Sequence, residues 1–458
     1  MKKTLLLLAI TTSMLSCKNE PQIDYALLAG NIENPAGKTI TIQNGSFNQV
    51  ININEDGTFT DTLRITSGYY TLNHGRENTT LYLNSGYDLN LTVDTKEFDE
   101  TLSYTGIGAE ISNYLATKAL SIEKLQGDSN LFYALEETEF KQKLLAIKDC
   151  NLEALKKGVN IDDEFKALET KNLDYDYLAS FSSYEPAHAY YAKKKGFKVS
   201  KDFLPETFKN MTFDNEQNYE SFQGYRSIAM NKTSNIIYEN IGEDYQGVYL
   251  EHLSPLNDVK IQQLKNDIIK SMGSFLISPA NPRMEDLYNF FMSNSTDGEF
   301  KDKLTAKFNK NKDLLPGKPS PVFLDYENHK GGDTSLEDLK GKYVYVDVWA
   351  TWCGPCKREI PYLKEVEKNY HGKNIAFVST SIDRAKDHEA WVTMVKDMAL
   401  GGIQLFADND WQSEFVTGYA IEGIPRFILI GPDGNIISAD APRPSNPKLV
   451  EMFNDLKI

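Results

Sequence analysis

Hydrophobic residues change rhythm twice along the chain, and the changes divide it into three parts. After a polar stretch from Lys18 to about Asp24, apolar and polar residues alternate with a period of two. Thr39-Ile40-Thr41-Ile42, Val50-Ile51-Asn52-Ile53 and Leu89-Asn90-Leu91-Thr92-Val93 show it most clearly. Such alternation turns every second side chain to one face, as in a half-buried strand. Asn34-Pro35-Ala36-Gly37, Glu55-Asp56-Gly57 and Asn84-Ser85-Gly86 supply turn residues between the strands. Short strands joined by polar turns predict a small antiparallel β sandwich over residues 25–106. In residues 107–314 the spacing becomes three and four: Phe140, Leu144 and Ile147; Ile261, Leu264, Ile268 and Ile269; Leu287, Phe290 and Phe291. That is the stripe of amphipathic helices, and it predicts a mostly helical middle domain.

Leu315-Pro316-Gly317-Lys318-Pro319-Ser320-Pro321 ends the helical rhythm. Proline lacks the N–H a helix needs and pushes the preceding residue into extended backbone, so this segment reads as a connector. Strands and helices then alternate over residues 315–458. A buried strand is expected at Tyr343 to Trp349, a helix from Pro355 to about Tyr370, and a strand at Ile375 to Ser381. A helix follows from His388 to Met398. Phe427 to Ile430 and Asn435 to Ser438 flank the turn Gly431-Pro432-Asp433-Gly434, and Leu449 to Leu456 closes with a helix. Alternating elements of this kind predict an α/β layered C-terminal domain.

The N-terminus is read as a targeting segment and set aside from the fold. Met1-Lys2-Lys3 is basic, Leu5 to Ile10 is apolar but too short to cross a bilayer, and Met14-Leu15-Ser16-Cys17 follows. The quartet resembles the lipobox of bacterial lipoproteins, although Met14 stands where Leu is commoner. The resemblance implies that residues 1–17 carry the signal, with cleavage before Cys17 and lipidation of its thiol, which would anchor the protein in a cell-envelope membrane through acyl chains. An ordinary signal peptide is the alternative. The formal charge of −16 over 458 residues argues against nucleic acid as a partner.

Four cysteines are present. With Cys17 assigned to the anchor, Cys353 and Cys356 form a close pair and Cys150 stands alone, which is no disulfide scaffold. Cys150 falls in a helical stretch and reads as a small buried hydrophobe. The pair lies at a strand-to-helix junction in Trp349-Ala350-Thr351-Trp352-Cys353-Gly354-Pro355-Cys356-Lys357. The first sulfur would then meet the unpaired N–H groups and dipole of a helix N-terminus, which stabilise a thiolate. Pro355 suits that first turn because its missing N–H costs nothing there. Cys353 is therefore expected as the exposed attacking thiol and Cys356, one turn inward, as the thiol that resolves a mixed disulfide.

Trp352-Cys353-Gly354-Pro355-Cys356 resembles the active site of the thioredoxin superfamily, and the likeness extends beyond it. Pro361 matches the proline that kinks the active-site helix, and Ile424-Pro425 falls where the family carries a cis-proline that helps hold substrate. The Pro-Gly-rich connector, Leu336 to Lys342, Glu359 and Pro361 look most like the TlpA/ResA branch of membrane-tethered thioredoxins. The β domain is similar to one found ahead of thioredoxin modules in Bacteroidetes lipoproteins. The resemblance implies a thiol:disulfide oxidoreductase that needs no cofactor. Its partners would be protein thiol or disulfide clients and a membrane electron donor of the kind that reduces thioredoxins. Trp352, Gly354, Pro355, Ile424 and Pro425 would contact substrate. The Gly354-Pro355 dipeptide leans toward a reductase, and the branch implies a role in cytochrome c maturation. An alternative is an envelope binding or scaffold lipoprotein in which the redox module is accessory.

Asp347 interrupts the buried run Val344-Tyr345-Val346-Asp347-Val348. A buried charge costs several kcal/mol unless it is paired or neutral, and burial raises a carboxyl's pKa toward the range of a general base at neutral pH. It matches the family's buried aspartate, which accepts the resolving thiol's proton. Glu359 matches the branch's active-site glutamate, yet a carboxylate in a first helical turn also offsets the helix dipole. Both readings stay open. His74 and Arg76 read as loop surface, Tyr184 to Tyr191 as core with a groove as the alternative, and Lys357 and Arg358 as surface charges. Neither zinc nor peroxidase chemistry fits. His371 and His388 stand alone, and Val346 and Ala350 occupy the positions where a peroxidase cradle would be.

Overall fold

The computed structural model describes residues 23–458, apart from 46, 243–247 and 282. The expected signal and Cys17 lie outside the described residues. Two compact units make up the chain, one ending at Ala229 and the other running from Met230 to Ile458. The division falls inside a helix of the middle region, Gln223–Ile241.

The first unit begins with eight strands: β1 Ala26–Glu33, β2 Thr39–Asn44, β3 Phe47–Asn52, β4 Thr58–Leu63, β5 Gly68–His74, β6 Glu77–Leu83, β7 Asp88–Asp94 and β8 Ser103–Ile107. They form two four-stranded sheets, ordered β4-β1-β7-β8 and β3-β2-β5-β6. Period-two patterning does its expected work, sending Leu89, Leu91 and Val93 of β7 inward between exposed neighbours. One pairing departs from the antiparallel expectation: β1 and β7 run parallel, Leu28 opposite Leu89. Five strands separate them in sequence, so no local turn signal could reveal it. The turn at Gly57 requires glycine, because at φ 86° a Cβ would lie 2.5 Å from the Ile32 carbonyl oxygen.

His74 is not loop surface. It ends β5 almost fully buried, where Nε2 accepts the Ala36 N–H at 2.8 Å and Nδ1 donates to the Thr39 carbonyl at 3.0 Å. Arg76, just beyond it, is exposed. Helices α1 Ala109–Gln126, α2 Glu137–Lys157 and α3 Asp163–Tyr191 follow. On α2 the buried positions are Phe140, Leu144, Ile147, Asn151 and Leu155. Cys150 falls off that stripe and is exposed, contrary to the buried reading. Tyr184 and His188 on α3 are core, whereas Tyr190 points outward.

The second unit carries helices α4 Gln262–Leu276, α5 Met284–Asn294 and α6 Gly298–Asn311, then the α/β part. The latter's strands are β9 Tyr326–Asn328, β10 Asp333–Thr334, β11 Tyr343–Trp349, β12 Ile375–Ser381, β13 Ile403–Phe406, β14 Arg426–Ile430 and β15 Ile436–Ser438. Its helices are α7 Gly354–Asn369, α8 His388–Asp397, α9 Glu414–Gly418 and α10 Lys448–Asp455. One sheet holds all seven strands, ordered β10-β9-β13-β12-β11-β14-β15. The expected strands are there; β9, β10 and β13, with two to four residues each, were too short to show a period. β11 is central, parallel to β12 and antiparallel to β14. Val344, Val346 and Val348 enter one core, and Tyr345 enters the other with Leu363, Val366, Phe427, Leu449 and Phe453. Asp347 shares the parity of Tyr345 and so lies on the face covered by α7 and α10.

Candidate active site

The junction between β11 and α7 positions the cysteine pair. Cys353 is the N-cap of α7, in extended backbone, and its Sγ accepts the Cys356 N–H at 3.1 Å. Pro355 occupies the first turn, as its missing N–H allows, and Pro361 sits inside the helix. The two cysteines are joined by a disulfide, with Cα atoms 5.3 Å apart. Cys353 is only 4% exposed, against the expectation of an open thiol. It packs in the same cluster as Trp349, Ala350 and Cys356, with Ile424 against it. Trp352 is the exposed residue at this edge, and its ring centroid lies 6.5 Å from that of Trp411. The Ile424–Pro425 peptide bond is cis.

Three carboxylates are buried around this junction. Asp347, on β11, has Oδ1 without a hydrogen-bond partner among the described residues. Burial, then the negative charges of Glu359 and Glu367, push its carboxyl up to about 8. Glu359 lies on the buried face of α7 three residues after Cys356. Its two oxygens accept the Ser445 N–H at 3.0 Å and the Ser445 hydroxyl at 2.9 Å, a pairing that spans 86 residues of sequence. Asp383, fully buried just beyond β12, accepts the Thr351 N–H at 2.8 Å and the Thr351 hydroxyl at 2.7 Å. The Ser381 hydroxyl donates to it at 2.7 Å. Together with the Ile382 N–H on the Trp349 carbonyl, these bonds clamp the loop before Cys353 to the end of β12.

A sequence profile of the Redoxin family matches residues 315–455. The chain's C-terminal domain belongs to the thioredoxin superfamily, in its TlpA/ResA-like branch. It is a thiol–disulfide oxidoreductase domain. The Thiol-disulfide oxidoreductase ResA of Bacillus subtilis is 27% identical over 132 residues, which are 29% of this chain and 70% of the relative. ResA of Oceanobacillus iheyensis is 33% identical over 103 residues, 22% of this chain and 50% of its own length. The chain thus spans between half and about 70% of these two relatives. A solved thiol-disulfide oxidoreductase from Bacteroides fragilis is 32% identical, covering 30% of this chain and 99% of its own, with a TM-score of 0.28.

Within the thioredoxin-superfamily domain, Cys353, Cys356, Trp352, Gly354 and Pro355 form one turn, with Ile424 packed on the same cluster. Asp383, Ser445 and Trp411 were missed in the sequence. Asp383 carried a weaker signal than Asp347, a carboxylate two residues past a buried strand rather than inside one; Ser445 and Trp411 carried none. His388, which seemed to stand alone, meets the Glu327 carboxylate at 2.9 Å. Among the described residues no group of three or more His, Cys, Asp or Glu could hold a metal ion. No helix among them is long and apolar enough to cross a membrane.

Proposed function

We propose that the protein is an envelope disulfide reductase that cycles Cys353 and Cys356 between dithiol and disulfide. The observation that carries this is the Cys353–Cys356 disulfide at the start of α7, with Asp347 buried on the helix-covered face of the adjoining strand. Reduced Cys353, at the helix N-terminus, attacks a client disulfide as the thiolate. One client sulfur leaves with the bond's electron pair, and the other remains in a mixed disulfide. Cys356 then gives its proton to the Asp347 carboxylate and attacks Cys353 Sγ, which expels the second client sulfur and closes the ring. Two electrons pass to the client, and a dithiol donor at the membrane restores the pair.

Trp352, Gly354, Pro355, Ile424 and Pro425 form the client-facing surface in this reading. The exposed Trp352 supports it, since an aromatic beside the reactive sulfur offers an apolar client segment a place to rest. Glu359 is read as a charge that modulates Asp347, because it ranks first among the carboxylates raising that group's proton affinity. We further propose residues 1–17 as a lipoprotein signal, Cys17 as the anchor, and 25–106, 107–314 and 315–458 as the evolutionary modules. The name of the ResA relatives supports the same chemistry here, and thiol reduction before haem attachment is the client class we favour. Insulin reduction by dithiothreitol tests the core of the reading: turnover should vanish in Cys353→Ser, and Cys356→Ala should accumulate mixed disulfides on Cys353. Full turnover in Cys353→Ser would end it.

A further inference from the structure

Glu367 has no part in the mechanism above, yet the fold brings it to Asp347. Cys356, Ile360, Leu363 and Glu367 follow one another along α7 at intervals of three and four, so one face of the helix carries all four. Asp347 and Glu367 line the same narrow, half-enclosed cleft, together with Ile360, Lys364, Ser379 and Gln404.

Two features hold the Glu367 carboxylate there. It packs on the bare backbone of Gly401-Gly402: a Cβ on Gly401 would meet its Oε2 at 2.2 Å, and one on Gly402 its Oε1 at 3.0 Å. The loop beneath also binds two ammonium groups. Lys330 Nζ donates to the Gly402 carbonyl at 3.2 Å, and Lys364 Nζ donates to the Met398 carbonyl. Within the cleft's lining, Asp347 Oδ1, Trp349 Nε1 and Gln404 Oε1 have no partner among the described residues. Of the elements packed on Asp347, β12 brings Ser379 and β14 brings Phe427 opposite it, both uncharged. Its own strand adds Tyr345, and α7 adds Glu359, Lys364 and Glu367.

We infer that Glu367 is a positioning residue acting through Asp347: its carboxylate, set across the cleft, joins Glu359 in setting the pH at which the resolving step switches on. The inference rests on the reading of Asp347 as the acceptor of the Cys356 proton. Like charges in a low-dielectric site disfavour joint ionisation. Burial raises the Glu367 carboxyl above the ordinary carboxylate range, opposed by the Lys364 and Lys330 ammonium groups, and its negative charge is among the causes that raise Asp347. Being half-buried, it also reaches both the cleft and solvent.

The full chain tests this with Ellman's reagent as probe. Cys353 is converted to its thionitrobenzoate mixed disulfide, and release of thionitrobenzoate by Cys356 is followed as pH is raised. In the wild type the step should switch on as pH passes about 8. Glu367→Gln should move that midpoint down by about half a unit or more, making the step about threefold faster at neutral pH. Glu365→Gln, exposed and outside the cleft, should leave it in place. A midpoint unmoved in Glu367→Gln, while Asp347→Asn flattens the profile, overturns the inference and leaves Asp347 as the acceptor. An unmoved profile in Asp347→Asn overturns the Asp347 reading itself.

Discussion

Single residues around the disulfide are held by bonds whose loss has a definite sign. Glu359 stands first among the carboxylates that raise Asp347, after burial itself. Glu359→Gln removes that charge, so the pH midpoint of the resolving step should fall in the same mixed-disulfide assay. Ser445→Ala does something different. It deletes the hydroxyl that donates to the buried Glu359 Oε1 while the backbone bond to Oε2 remains. A buried acceptor that loses its donor costs roughly 1–3 kcal/mol, and urea unfolding should show a loss of that order. Asp347 was found from its residue type and neighbours alone, whereas the partner of Glu359 could not be, since nothing local marks a serine 86 positions away.

At the scale of elements, the loop from β11 into α7 depends on its tie to the end of β12. Asp383 receives both donors of Thr351 and the Ser381 hydroxyl, so its carboxylate fixes the turn that delivers Cys353 to the N-cap. Asp383→Asn should lower the rate of insulin reduction about tenfold or more, since small misplacements of a reacting group are costly. Thr351→Val keeps the backbone donor and should lose less. Steady-state rates of the two variants, compared with their melting temperatures, separate misplacement from simple instability. The long elements were legible here because β11, β12 and α7 are long enough to show their periods. β13, with four residues after two glycines, was not, although it completes the sheet beside β12.

For the whole molecule, buried acids decide how stability responds to pH. Asp347 is raised to about 8 and Asp176 on α3 to about 6, each mainly by burial. A folded state that raises a carboxyl's pKa binds more protons than the unfolded chain, so the contribution of these two groups to stability is fullest below the unfolded value near 3.8 and is lost as pH climbs through the folded ones. Asp56, Asp94 and Glu299 are lowered and act in the opposite sense, but they lie on the surface, where solvent and salt screen them. Thermal unfolding should therefore shift to lower temperature as pH rises from about 4 to about 8, and Asp347→Asn should flatten the response over that window. Elsewhere in the first unit, Glu169 is fully buried against Lys118 at 2.6 Å. Lys118→Met removes the cation, while the Tyr69 and Tyr114 hydroxyls and the Asn172 amide still donate to the carboxylate, and should cost about 3 kcal/mol by denaturant titration, the low end for a broken buried pair.

Alternation and helical spacing determined the order of elements, because strand and helix periods are local properties of the chain. The sequence alone also marked out the cysteine pair that the structure joins in a disulfide, whose spacing and neighbours sit within nine residues, and the oddity of Asp347 in an apolar strand. Tertiary structure alone decided the parallel join of β1 to β7, the burial of His74 and the exposure of Cys150. It also decided which carboxylates surround Asp347. These depend on residues far apart in sequence meeting at short range, and the electrostatics of a buried group are set by what surrounds it in space rather than along the chain.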